Sequence, residues 1–314
     1  MVRKIKYICT MLPIYFAPLQ GYTEDIYRRL HNEIFGGIDR YYTPFLRLEH
    51  GKTRQKDMRD IRPDFNRGVN VVPQIIASSA DELRTLFDVV CENGYREADI
   101  NMGCPFPLQT RHGRGAGLLQ RPEQVAEICR FIASHPDTTF SVKMRLGLEQ
   151  ADEWQQILPM LNDTPLRHIT LHPRTATQQY KGELHMEQFE AFMAEARHPV
   201  VFNGDVTTTE QIERLEQTYP QLSAVMIGRG LLARPSLAAE YARQSPMSDA
   251  ELLRLIRRMH SEMRNHYEQI IPGESQCLNK LRTFWEYMEP TLGRKQWKKI
   301  MKAGNMKNYL AAIG

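Results

Sequence analysis

A regular alternation of short apolar runs with longer stretches of helical periodicity, from residue 14 to about residue 230, restricts the fold more than any other feature. Eight runs have the length and the apolar or β-branched content of buried strands: "IYFAPLQG", "GGIDRYYTPFL", "NVVPQIIAS", "EADINMGCP", "FSVKMRLG", "HITLHPRT", "PVVFNGDV" and "AVMIGRG". The helical stretches between them include residues 79–93, 122–134, 150–161, 185–196 and 208–217. Eight strands alternating with helices predict an α/β fold, a parallel (β/α)₈ TIM barrel.

The ends of these runs favour a barrel over its main competitor, a doubly wound open sheet. The first run is not followed by the GxGxxG turn that a dinucleotide-binding open sheet places there. Each run begins apolar and ends in polar, Gly or Pro residues. Because the carboxyl ends of barrel strands meet on one face, where enzymes of this fold have their sites, we expect these polar residues to converge there.

The strand pattern stops after "RQSPMSD", and the remaining sequence has apolar positions at helical spacing. We therefore predict two domains, a barrel over 1–243 and a small all-helical domain over 244–314. Residues 247–314 hold 12 Lys and Arg against 7 Asp and Glu, so they carry the whole positive excess of a chain whose formal net charge is +4. This asymmetry indicates either an anionic partner or an ordinary solvated helical surface.

The five cysteines are odd in number, scattered and free of CxxC pairs. This pattern argues against a disulfide framework and against a zinc site, and it is typical of a reducing compartment. The apolar run "YICTMLPIYFAPL" is interrupted by Pro13 and Pro18 and is too short to span a bilayer. We expect a cytoplasmic monomer with no bound metal and no membrane contact.

One cysteine is placed differently from the others. Cys104 follows a predicted strand and lies between Gly103 and Pro105, where the chain turns outward. A structural cysteine prefers apolar surroundings within an element, so this thiol is a candidate for chemistry. A nucleophile activated by His112 or His172 and an inert buried cysteine are the alternatives. The glycine-rich stretch 113–117 behind it is interpreted as a mobile lid.

Two further features indicate a phosphorylated ligand with a flat polar ring. "NGD" and "GRG" follow the seventh and eighth strands, where barrels often bind phosphate, and Arg229 can add charge-assisted bonds. Lys143 lies in a strand that should be buried and needs an acceptor. That acceptor is either a carboxylate such as Asp99 or a ring that becomes anionic on reduction. Flavin mononucleotide (FMN) has both a phosphate and such a ring.

Several motifs, taken in order, resemble those of the tRNA-dihydrouridine synthases. They are "AP-x-x-G", "VPQI", "DINMGCP" followed by "AGLL", "VKMRLG", "LHPRT…QQY", "NGD" and "IGRG", spread over residues 14–230. The chain departs from the family pattern at Leu19, where methionine is common, at "HPRT" and at "CPFP". The resemblance implies a TIM barrel with a basic helical domain and FMN-dependent reduction of a uracil base in tRNA, with NADPH as the usual electron donor.

The resemblance also implies roles for individual residues. The positions that match flavin-contacting ones are Pro18, Leu19, Gln20, Gln74, Lys143, His172, Asn203, Gly204, Asp205, Gly228 and Arg229. Cys104 matches the catalytic cysteine, and Asn101, Arg145 and Tyr180 match positions that face the base. A thiol suits this chemistry because it is mostly protonated at neutral pH yet is able to give up its proton to C5 of the base.

A base in folded tRNA must be flipped out before a deep pocket can act on it. We therefore expect the basic helical domain to hold the phosphate backbone around the flipped nucleotide. Two clusters are candidates for phosphate contacts: Lys295, Lys298, Lys299, Lys302 and Lys307, and Arg254, Arg257 and Arg258. Trp297 is interpreted as a packing residue. An FMN barrel acting on a free pyrimidine and a non-enzymatic RNA-binding protein are the rivals. The sequence leaves the modified uridine open.

Overall fold

The computed structural model describes residues 11–314, so Cys9 and the first ten residues of the predicted barrel domain lie outside the described part. Parallel strands form the centre of the molecule, and a short antiparallel pair, β3 and β4, lies beside them. The strands are β1 (Ile14–Phe16), β2 (Arg40–Tyr42), β3 (Leu48–Glu49), β4 (Lys52–Thr53), β5 (Val71–Val72), β6 (Gln74–Ile75), β7 (Glu97–Met102), β8 (Thr139–Gly147), β9 (Leu166–Thr175), β10 (Val200–Phe202) and β11 (Ala224–Ile227).

The parallel sheet closes on itself at Pro73. Its strand order runs β5-β2-β1-β11-β10-β9-β8-β7-β6, and the two end strands are separated along the chain by Pro73 alone. Proline has no N–H for the ladder, which interrupts the strand, but its carbonyl accepts from the Asp99 amide at 2.9 Å. The eight predicted strands therefore form a closed parallel barrel, and the predicted (β/α)₈ fold class is confirmed.

Helices cover the outside of the barrel. They are α1 (Asp25–Ile34), α2 (Gln55–Arg59), α3 (Ala80–Glu92), α4 (Pro107–Thr110), α5 (Pro122–Ala133), α6 (Leu158–Asn162), α7 (Met186–Glu195), α8 (Thr209–Thr218), α9 (Arg229–Ala233) and α10 (Leu237–Arg243). The predicted helix over 150–161 forms instead as a 3₁₀ turn, Glu153–Gln156, followed by α6. Pro159 explains the break, because it has no N–H to donate to the preceding turn.

Five helices form the remainder of the chain. They are α11 (Asp249–Ile270), α12 (Glu274–Trp285), α13 (Glu289–Leu292), α14 (Arg294–Met301) and α15 (Met306–Ile313). Helix α11 packs on α1, and its buried apolar residues belong to the same cluster as the barrel core. Between residues 11 and 314 no helix has the length and apolar character needed to cross a membrane.

Candidate active site

A cavity of about 370 Å³ opens where the carboxyl ends of the barrel strands meet. Its volume lies in the range of small-molecule sites. Most predicted site residues line it together: Pro18, Leu19, Gln20, Asn101, Cys104, Lys143, Arg145, His172, Tyr180, Asn203, Asp205, Gly228 and Arg229. Gln74 and Gly204 are not in its lining. The strand ends thus bring together residues that are more than 200 positions apart in the sequence.

The thiol of Cys104 faces this cavity although the residue is only 7% exposed. Burial raises the pKa of Cys104, while a hydrogen bond from the Phe106 backbone and the charges of Arg145 and Lys143 lower it by less. The thiol is therefore protonated at neutral pH. Among residues 11–314 no histidine is hydrogen-bonded to Cys104, and His112 is exposed, so the geometry does not support a histidine-activated nucleophile.

The glycine-rich stretch behind Cys104 is a buried 3₁₀ helix, Gly115–Gln120, rather than an exposed flap. The Ala116 amide donates to the Cys104 carbonyl at 3.1 Å. Gly115 has a φ of +57°, and a Cβ there would lie 2.7 Å from the Cys104 Cβ. Glycine is therefore required for this close approach, and the stretch supports the cysteine.

Lys143 extends from β8 into the same cavity. In the part of the chain that the structure describes, no carboxylate lies within ion-pair distance of its ammonium. The predicted alternative partner, Asp99, instead accepts from Ser141 and Gln74. Burial and the nearby Arg145 lower the pKa of Lys143 to about 8, so the side chain is still largely cationic at pH 7. A desolvated cation that forms no ion pair with any of residues 11–314 indicates an anionic ligand.

His172 is held as a neutral imidazole on the neighbouring strand, β9, in register with Arg145 of β8. Burial lowers its pKa well below the ordinary value, and the charges of Arg145, Lys143 and Arg174 lower it further. Arg174 Nη1 lies 3.3 Å from His172 Nε2, so Nε2 accepts and the proton is on Nδ1. Asn203 donates its amide to the Met226 carbonyl at 2.8 Å, and its side chain is also hydrogen-bonded to His172.

Asp205 organises the cationic end of the cavity. Its carboxylate accepts from Arg174 at 2.5 Å and from Arg229 at 2.6 Å. Burial tends to raise the pKa of Asp205, but these two arginines outweigh it and hold the pKa below its ordinary value. Tyr180 lies between two guanidinium groups, with Arg229 Cζ at 4.7 Å and Arg145 Cζ at 5.3 Å from its ring centroid. Arg229 is thereby aimed along the wall of the cavity.

Arg145 connects two segments at the edge of the cavity through hydrogen bonds to their backbones. It donates to the carbonyl oxygens of Gly103, Thr175 and Gln179 at 3.0, 2.9 and 2.7 Å. These bonds tie the end of β7, which carries the cysteine, to the loop that carries Tyr180. Arg145 therefore shapes the site besides lending it charge.

Comparison with known proteins identifies the chain. Residues 15–311 match the family model described as dihydrouridine synthase (Dus). The chain belongs to the dihydrouridine synthase family. The family assignment made from the sequence motifs is confirmed, and with it the enzyme class.

The curated relatives cover most of the chain. A tRNA-dihydrouridine(16) synthase of Pseudomonas syringae pv. tomato is 31% identical over 260 residues, which are 78% of this chain and 81% of the relative. A probable tRNA-dihydrouridine synthase 2 of Bacillus subtilis is 28% identical over 81% of this chain and 78% of its own. Among solved structures, TcOYE with pHBA superposes with a TM-score of 0.54 at 11% identity, covering 75% of this chain and 90% of that one. That likeness concerns the fold.

Part of the lining of this dihydrouridine synthase cavity is not predicted by the sequence motifs. Phe45 and Phe106 are aromatic members of the wall, and Phe106 is 51% exposed. Tyr287 and Pro290 come from the helical region. No motif in the sequence marks Tyr287 or Pro290, whereas Phe106 lies in "CPFP", where the chain departs from the family pattern.

Helical residues reach the cavity because a buried carboxylate anchors them. Glu24, only 2% exposed, pairs with Lys280 of α12 at 2.9 Å, and Lys280 also donates to the Gly21 carbonyl at 2.9 Å. Tyr22 donates to Glu286 at 2.8 Å beside the same loop. The turn after β1, which supplies Pro18 and Gln20 to the wall, is therefore fixed to the helical region.

Proposed function

We propose that this dihydrouridine synthase reduces the C5–C6 double bond of a uridine in tRNA to 5,6-dihydrouridine, with FMN as cofactor and NADPH as electron donor. The observation that carries the proposal is that a protonated thiol, Cys104, and a desolvated cation, Lys143, which forms no ion pair within residues 11–314, line one cavity. The names of the relatives supply the RNA substrate.

The donor set suits FMN at two places. Arg229, aimed by Asp205, would hold the phosphate together with the backbone amides of Gly228 and Arg229, a grouping typical of phosphate sites in barrels. Lys143, with Asn203 beside it in the lining, would meet the polar edge of the ring. When bound, FMN supplies the hydride that adds to C6 of the base.

Cys104 then supplies the proton. As hydride adds to C6, negative charge builds at C5 and O4 of the uracil, and a proton must reach C5. Because burial raises the pKa of Cys104, the thiol carries that proton at neutral pH. Lys143 and Arg145 lie near enough to stabilise the thiolate that remains after transfer.

The RNA would be held mainly through its phosphates. On α14 and just beyond it, Lys295, Lys298, Lys299, Lys302 and Lys307 are all exposed. In the second predicted cluster, Arg258 is already paired with Glu33 at 2.6 Å and Glu262 at 3.0 Å, which makes it a poorer phosphate ligand. Trp297 donates to the Trp285 carbonyl at 2.9 Å, as expected of a packing residue.

The direct test is reduction of an unmodified tRNA transcript by the purified protein with FMN and NADPH. We expect FMN to bind and give a yellow protein, and dihydrouridine to appear in the nuclease-digested RNA by mass spectrometry. Position 16 is examined first because the Pseudomonas relative is named for it. A colourless protein that takes up no FMN would rule the proposal out. Equal turnover of free uridine would favour the small-molecule rival.

Replacement of Lys143 by methionine tests the cofactor role. We expect the Kd for FMN to rise at least ~10-fold, because the substitution removes a cation from a buried site. The Tm of the FMN-free protein should rise, because desolvation disfavours the ammonium, as its lowered pKa indicates, and methionine has similar length. Flavin fluorescence measures the Kd, and thermal unfolding measures the Tm. The control is Lys181→Met, since Lys181 is an exposed lysine. Unchanged FMN affinity would exclude Lys143 from the flavin site.

Phe106 offers a second test, directed at RNA binding. A half-exposed aromatic ring at the mouth of the cavity, two residues from the cysteine, is placed to stack on a nucleobase. We expect Phe106→Ala to raise KM for tRNA about tenfold, since such stacking is worth ~1–3 kcal/mol, and Phe106→Trp to preserve it. Leu108→Ala is the matched control, because Leu108 is 67% exposed but does not line the cavity. Equal KM values for Phe106→Ala and Leu108→Ala would contradict the role.

A further inference from the structure

A chain of buried hydrogen bonds joins Asp99, in the barrel wall, to the backbone of Cys104. Asp99 Oδ2 accepts from Gln74 Nε2 at 2.7 Å, and Gln74 Oε1 accepts from Asn101 Nδ2 at 2.8 Å. Asn101 Oδ1 then accepts from the Cys104 amide at 2.9 Å. We infer that Asp99 is a positioning residue that fixes the Cys104 thiol through Gln74 and Asn101, an inference that rests on the proposed function for its catalytic meaning.

Asp99 is the carboxylate at the start of this hydrogen-bond chain, and it only accepts hydrogen bonds when ionised. Asp99 is fully buried in β7, and Ser141 Oγ donates to its other oxygen at 2.6 Å. Burial raises the pKa of Asp99 to about 6, against the hydrogen bonds of Ser141 and Gln74 and the charge of Lys143; Glu97 on the same strand raises it further. Above pH 7 the group is ionised and only accepts hydrogen bonds.

The ionised carboxylate fixes the orientation of the side-chain amides of Gln74 and Asn101. Because Asp99 accepts only, Gln74 must turn its NH₂ group toward it, which leaves Gln74 Oε1 toward Asn101. Asn101 must then present its own NH₂ group to Gln74 and its oxygen to the chain ahead. Reversal of either amide would bring two acceptors or two donors together in a buried place.

The oriented Asn101 side chain holds the turn that carries the Cys104 thiol. Asn101 Oδ1 accepts from both Gly103 and Cys104, at 3.0 and 2.9 Å, and so fixes the turn that aims the side chain into the cavity. Amides do not titrate in this range, so the chain orients the thiol and moves no proton. It also explains why Gln74, though polar, is absent from the cavity lining.

The test compares three variants. Asp99→Asn removes the acceptor-only group, so the amides lose their forced direction. Adding Gln74→Glu restores it, because the carboxylate introduced at position 74 accepts both from the amide introduced at position 99 and from Asn101. Ser141→Ala removes the other bond of Asp99 but leaves the amide chain intact. We expect kcat on tRNA at pH 8 to fall about tenfold in Asp99→Asn at unchanged KM, to recover mostly in Asp99→Asn/Gln74→Glu, and to stay within about twofold of wild type in Ser141→Ala.

A second readout needs no substrate or cofactor. Iodoacetamide labelling of Cys104, followed by peptide mass spectrometry, should be several-fold faster in Asp99→Asn and return toward wild type in the double variant. Cys129, buried at 8% exposure outside the cavity, reports global loosening and should not change.

Equal loss in Asp99→Asn and the double variant, or parallel acceleration at Cys129, would overturn the inference. A wild-type protein inactive on tRNA would instead refute the proposed function, while the labelling would still decide the role of Asp99.

Discussion

Replacing Cys104 with alanine is expected to lower kcat for dihydrouridine formation by ~10²–10⁴-fold, the usual contribution of a general acid. Burial raises the pKa of Cys104, so the thiol carries its proton at neutral pH. Lys143 is occupied as the proposed partner of the flavin, and the neutral His172 already accepts from Arg174 at Nε2. The product is measured by mass spectrometry of digested tRNA under single-turnover conditions.

The controls separate proton donation from damage to the site. FMN content and the rate of flavin reduction by NADPH should match the wild type in Cys104→Ala, because neither step needs a proton on the base. Cys129→Ala, also a buried cysteine, should retain turnover. If Cys104→Ala produced dihydrouridine at the wild-type rate, the proton would have to come from elsewhere.

Reversal of charge on α14 is expected to have the second large effect. Lys298 and Lys299 are exposed and, within residues 11–314, form no ion pair. In Lys298→Glu/Lys299→Glu we expect tRNA affinity to fall ~10–100-fold, and the slope of log K against log salt to decrease in magnitude by about 1.4–1.8, as for two lost phosphate contacts. Filter binding or fluorescence anisotropy across salt concentrations measures both quantities.

The matched control carries the same change in net charge on the barrel. Arg130 on α5 and Arg214 on α8 are exposed, and Arg130→Glu/Arg214→Glu should leave affinity within about threefold of wild type. Equal losses in the two double variants would indicate a general effect of net charge. Reversal is preferable to removal of residues 247–314, because α11 and α12 share the apolar core of the barrel and Tyr287 lines the cavity.

The closed barrel and the convergence of the site were predictable because both follow from chain order. Cys104 and Arg229 come at the ends of predicted strands and Lys143 lies within one, and parallel strands place such ends on one face. The interruptions of a strand and of a helix by proline were harder to predict. Pro73 interrupts a strand at the seam of the barrel, and Pro159 splits a predicted helix, although both residues are evident in the sequence.

The directions of side chains were not predictable. Gln74 matched a position expected to face the flavin, yet both of its polar atoms are bonded to Asp99 and Asn101. Asp205 matched a similar position, and it is the carboxylate that aims Arg229. Neither arrangement follows from a motif, since each depends on a residue brought close by the register of a neighbouring strand or loop.

The sequence by itself determined the order of strands and helices, the face on which their polar ends meet, and the thiol and the cation placed there. Only the tertiary structure decided which groups are paired and which are left free. Within residues 11–314 Lys143 forms no ion pair, because Asp99, the carboxylate whose charge it feels, is hydrogen-bonded to Ser141 and Gln74 instead. Hydrogen bonds and burial act through space between strands, and their outcome depends on distances of a few ångströms that chain order does not set.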